Sequence, residues 1–157
     1  MDPISGDGPM ALILQKMGDG SHCLPTEAEW EFACRAGSTT AFANWEIIRL
    51  FCDHDANLYA MGWYCGNTQR HTHRLTPKNN DSWSLYDLHG KVSEWCQDCY
   101  SEYLAAPQED PVGPPSCPAR VVRGGSWFGS AKTCHSAHRF KWPLTPATIS
   151  TSLVSVS

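Results

Sequence analysis

Charge is scarce in this chain, and its sign is wrong for nucleic acid. Lys, Arg, Asp and Glu make up 18% of the 157 residues and leave a net charge of −4. Without a basic stripe to neutralise phosphates, nucleic acid is not an expected partner. Long hydrophobic runs are missing too. The longest apolar stretch near the start, MALIL at residues 10–14, is far shorter than the roughly 20 residues a membrane-spanning helix needs. It also lacks the basic leader and small-residue cleavage site of a signal peptide. These absences predict a soluble, non-exported, cytoplasmic chain with no membrane partner. No internal repeat is visible, and the length predicts one domain that buries about two-thirds of the surface its unfolded chain would expose.

Cysteine, by contrast, is plentiful: eight stand at positions 23, 34, 52, 65, 96, 99, 117 and 134. In an exported protein that number would suggest bridges. With no signal sequence in view, the expectation is that most are reduced and fill small apolar sites.

Residues 1–10, rich in Gly, Pro and Asp, read as a disordered leader to a domain over residues 11–157. Residues 11–17 read as the last turns of a helix stopped at Gly18. Thr26-Glu27-Ala28-Glu29 is a capping box, so a helix is expected from Glu27. Trp30, Ala33 and Cys34 then share one face at helical spacing, and Gly37 supplies a left-handed stop. Residues 38–81 are polar and turn-rich, implying long loops pinned by Trp45, Tyr59, Trp63 and Tyr64. Short extended pieces are expected at 85–87 and 92–95 around a His89-Gly90 turn. Residues 121–127 read as a strand interrupted by a bulge at Gly124-Gly125. The alternating, β-branched tail at 149–157 reads as a terminal strand.

Two constellations can be weighed on residue type alone. Cys96-x-x-Cys99 has zinc-ligand spacing and Cys134-His135-x-x-His138 follows, but no finger spacing connects them. His71-Thr72-His73 lies in a loop and reads as solvated.

Four blocks then fall in a telling order: CLPTEAEWEFACRAG (23–37), GWYCGN (62–67), LYDLHGKVSEWCQDCY (85–100) and RVVRGGSWFGSAKTCHSAHR (120–139). Together they resemble the formylglycine-generating enzymes, or sulfatase-modifying factors. The resemblance spans about residues 11–154. It implies an α+β, C-type-lectin-like fold of short helices, twisted antiparallel strands and long loops, here without the N-terminal portion the family usually carries. An unpaired terminal strand would then favour self-association.

The resemblance also implies chemistry. Calcium would be held by Asp87, the carbonyls of Gly90 and Val92, and Glu94, a set of hard oxygens suited to that ion. Copper(I) would sit between two cysteines, of which the second corresponds to Cys134 and the first to Gly129. Ser126 matches an active-site serine. Because glycine offers no thiolate, full oxidase activity is not expected. Lys91, Ser93, Ser84 and Cys23 stand where the family usually has Asn, Trp, Gly and Arg. The alternative reading is a non-catalytic ligand-binding protein, such as the variable proteins of diversity-generating retroelements. Trp127, Phe128, His135, His138 and Trp142 would then form an aromatic-rich surface for a protein or peptide ligand.

Overall fold

The computed structural model describes residues 24–73 and 78–144. The leader, the expected helix at 11–17 and the expected terminal strand lie outside them.

Helix α1 (Glu27–Arg35) forms where the capping box puts it. Thr26 Oγ1 accepts from the Glu29 N–H at 3.2 Å, and Glu29 Oε2 accepts from the Thr26 N–H at 2.8 Å. Trp30, Ala33 and Cys34 are buried together, as their spacing requires. Ala36, rather than Gly37, is the left-handed cap (φ 46°), with Gly37 continuing the positive-φ turn. The helix ends there because Ala36 and Gly37 both take positive φ, 46° and 88°, through which an α-helix cannot continue.

Helix α1 packs on a three-stranded antiparallel sheet in the order β1 (Glu94–Cys99), β2 (Ala119–Arg123), β3 (Phe140–Pro143). Trp30, Cys34, Cys96 and Val121 form the core between helix and sheet. A buried ion network fastens the same face. The Arg123 guanidinium, fully buried, meets Glu27 and Glu31 of α1 and donates to the His138 carbonyl at 2.7 Å. Arg139 closes on the Glu27 carboxylate with contacts of 2.8 and 2.5 Å.

A second core gathers Phe42, Leu58, Met61, Tyr64, Ala131 and Cys134 under the long loops. Its organiser is Asp55, whose carboxylate receives four backbone N–H groups. Oδ1 takes those of Asn57 and Leu58 at 3.0 Å each, capping α2 (Ala56–Met61); Oδ2 takes those of Ile48 and Arg49 at 2.6 and 2.8 Å. Burial raises the Asp55 pKa, but these donors outweigh it and the net shift is downward. The loops are therefore tied from within.

They are also tied covalently. Cys52 is bonded to Cys65 and Cys99 to Cys117. This corrects the expectation that most cysteines are reduced: four of the eight are bridged, while Cys34, Cys96 and Cys134 are free and buried. The physical reason is that loops with little core of their own need cross-links. Such links persist in oxidising surroundings. The Cys99 sulfur is also removed from any zinc set. Residues 85–87 do not form a strand, because Asp87 adopts φ 62° and begins a turn. No helix among the described residues is long and apolar enough to cross a membrane.

Candidate functional site

The site is assembled where the signature turn meets the segment after β2. Strand β2 stops at Gly124 and Gly125, with φ of 87° and 76°. The Gly90 N–H donates to the Gly124 carbonyl at 2.7 Å, and the Trp127 N–H donates to the Lys91 carbonyl at 3.0 Å. Two close approaches set this register. A Cβ on Gly62 would stand 1.6 Å from the His89 carbonyl oxygen, and one on Gly90 would stand 2.2 Å from that of Trp63. The GWYCGN block and the His89-Gly90 turn thus fit only as glycine against backbone.

His89 is the hinge pin between the blocks. Its Nδ1–H donates to the Cys134 carbonyl at 2.9 Å, and its Nε2 accepts from the Ala43 N–H at 3.0 Å. A carbonyl can only accept and an N–H can only donate, so the two bonds fix the neutral Nδ1–H tautomer. Burial depresses its pKa to about 4. Cys34 Sγ lies 3.8 and 3.7 Å from the two ring nitrogens.

Cys134 ends a 3₁₀ helix (Ala131–Cys134), which hangs on the loop through Ala131 N–H to Phe51 O (3.1 Å) and Lys132 N–H to Leu50 O (2.9 Å). Its thiol is fully buried and pushed up to about 12 by burial, against lowering hydrogen bonds from Thr133 and the Ser126 backbone. The structure therefore brings Ser126, also buried, to Cys134 through its N–H.

The aromatic residues fall into separate groups. Trp127, half-buried, meets Phe128, 69% exposed, edge to face at 5.4 Å. His135 meets His138 at 5.5 Å, and His138 meets Phe140 at 4.5 Å. Burial lowers both histidine pKa values, that of His138 to about 4. Trp142, 48% exposed, pairs with Arg120 across β2 and β3. No ring contact among the described residues joins these groups.

Asp87, Gly90, Val92 and Glu94 lie around one turn, but both carboxylates already have protein partners. Asp87 Oδ2 accepts from Lys91 Nζ at 2.6 Å, and Glu94 Oε2 accepts from Trp30 Nε1 at 2.6 Å. Burial raises the Glu94 pKa and the Asp87 charge adds to it, while the Trp30 bond and Lys91 oppose. Among the described residues, no three His, Cys, Asp or Glu side chains surround a point that could hold a metal. Lys91, Asp55, Arg123 and His89 were not assigned these roles on sequence grounds. Only Lys91, a cation where the family usually has Asn, carried a signal.

The model of the Sulfatase-modifying factor enzyme 1-like domain matches residues 15–149. The chain belongs to the sulfatase-modifying factor family. It is 32% identical over 127 residues to the formylglycine-generating enzyme of Bos taurus, covering 76% of this chain and 32% of that protein. It is 34% identical over 122 residues to the serine/threonine-protein kinase pkn1 of Chlamydia pneumoniae, covering 75% and 18%. Treponema denticola variable protein 1 superposes with a TM-score of 0.69 at 35% identity, over 77% of this chain and 42% of that one. The chain thus spans about a third or less of the curated relatives named. The α+β, C-type-lectin-like fold is that of the family.

The residues of this chain do not fit copper. Two-coordinate copper(I) needs two thiolates. Position 129 is glycine, and a Cβ there would lie 2.6 Å from Thr133 Oγ1 and 3.2 Å from the Ser126 carbonyl oxygen. Thr133 Oγ1, which donates to the Ser130 carbonyl at 2.7 Å, stands in the place a side chain would occupy.

Proposed function

We propose that this sulfatase-modifying factor domain is a non-catalytic binding module for a protein or peptide. The observation that carries the reading is Gly129: the partner thiolate for Cys134 is missing, and Thr133 fills its space. Cys134 itself serves the core, with its carbonyl committed to His89 and its thiol held protonated. Likeness to a variable protein supports the binding reading, and Phe128 offers a large exposed anchor beside Trp127. Trp142 is a second anchor of the same kind. Calcium plays no part in this reading, since Lys91 already holds Asp87.

The test has two arms. Copper(I) titrated against a chromophoric competitor should find no tight one-to-one site; a stoichiometric site lost in Cys134→Ser would revive the oxidase. Peptides selected from a random displayed library against the folded chain should lose capture on Phe128→Ala or Trp142→Ala while the unfolding midpoint stays put. Unchanged capture in both variants would remove the aromatic surface from the reading.

A further inference from the structure

The signature turn carries two carboxylates, and a turn of that kind needs a counter-charge. Asp87 (φ 62°), Gly90 (φ 98°) and Lys91 (φ 68°) all take the left-handed region, curling the chain so that Lys91 returns over Asp87. The ammonium sits 2.6 Å from Asp87 Oδ2, and the two side chains are each 18% exposed. It does not arrive there by chance of a long side chain. The Lys91 backbone is pinned on both sides, its N–H donating to the Trp63 carbonyl at 2.7 Å and its carbonyl accepting from the Trp127 N–H at 3.0 Å. Glu94 feels both partners: the Asp87 charge opposes its ionisation and the Lys91 charge favours it. Its carboxylate is further held by Trp30 Nε1.

A divalent cation entering this turn would have to strip Asp87 of an ammonium that is covalently tethered and so present at high effective concentration. It would also face a site one positive charge less attractive than the two carboxylates alone. We propose that Lys91 is a built-in replacement for a bound divalent cation: its ammonium holds Asp87 in the signature turn and makes the folded domain independent of calcium. The turn keeps both carboxylates and supplies the cation from its own chain. The domain then holds its shape in the presence of a chelator or where calcium is scarce.

The experiment compares the wild-type chain with Lys91→Asn and Lys91→Arg, using calcium alone as the probe. Thermal unfolding in chelator and in about 1 mM calcium, with calorimetric titration alongside, gives two readouts. Wild type and Lys91→Arg should share one midpoint in both conditions and show no saturable heat of binding. Lys91→Asn should have a lower midpoint in chelator and regain roughly 5 °C or more in calcium, because removing the ammonium leaves Asp87 open to the ion. Saturable calcium binding by the wild type, abolished in Asp87→Asn, overturns the proposal. So does a folded Lys91→Asn that stays silent to calcium. Should Lys91→Asn fold in neither condition, Lys91→Gln takes its place under the same criteria.

Discussion

His89 donates its Nδ1 proton to the carbonyl of Cys134, joining the signature turn to the end of the 3₁₀ helix across 45 residues. Because Nε2 is already an acceptor for the Ala43 N–H, protonating this ring breaks a bond. Its folded pKa of about 4 lies below the usual 6.5. Between those values the unfolded chain binds the proton and the folded one does not, so stability falls as pH drops from 6.5 toward 4. The loss from this ring is on the order of 3 kcal/mol at most. His138, also near 4, acts in the same direction. Nitrogen-15 spectra should show the His89 ring as the Nδ1–H tautomer, unchanged from pH 8 to 5. A midpoint near 6.5 for this ring would contradict its burial.

Gly62 faces the His89 carbonyl with no room for a side chain. Gly62→Ala should therefore cost more than about 3 kcal/mol or abolish folding, because the obstructing atom is backbone and cannot rotate away. Gly37→Ala is the control. Open space surrounds it, so only its positive φ is strained, at about 1 kcal/mol. Chemical denaturation of the two variants checks the contrast.

Arg123 is a buried cation shared by two glutamates of α1. Arg123→Ala should lower stability by roughly 3–5 kcal/mol, since it leaves Glu27 and Glu31 short of a charge partner. Glu27 retains Arg139 and Glu31 retains Arg35, but each still loses the buried guanidinium, so an Arg123→Ala, Glu31→Gln double variant should lose less than the two single variants together. Equilibrium unfolding of wild type, Arg123→Ala, Glu31→Gln and the double variant measures the coupling, and strict additivity would contradict the network.

The two disulfides should appear as linked peptides after digestion without reductant, Cys52 with Cys65 and Cys99 with Cys117. Opening the first, which closes a 13-residue separation, should cost about 3 kcal/mol. Cys34, Cys96 and Cys134 should resist alkylation until the chain unfolds, because each is buried.

Helix α1 was legible because everything it needs is local: a capping box, a helical apolar face and a glycine just beyond its end. The family resemblance likewise located Gly129, and with it the doubt over copper. Helix α2 was not legible, because six residues hold together only when Asp55 is buried against Tyr64, which accepts its N–H at 2.7 Å. Strand β3 hid for a related reason. FKWP has no alternation and ends in proline, and it is a strand only by pairing with β2. The cysteine pairs were beyond spacing, since eight cysteines admit 105 complete pairings. The aromatic residues of the expected binding surface were correctly seen as numerous, but the sequence had no means to show that they divide into separate groups. At the signature turn, the carboxylates of Asp87 and Glu94 were readable and their partners were not: the return of Lys91 onto Asp87 depends on three positive-φ residues.

The most direct measurement is oxidation of a Cys-x-Pro-x-Arg peptide by the folded, disulfide-bonded chain supplied with copper(I) and oxygen, read by the mass of the product. No formylglycine should form in wild type, with Cys134→Ser indistinguishable from it. Formylglycine formed by wild type and lost in Cys134→Ser would contradict a non-catalytic domain and restore the enzyme.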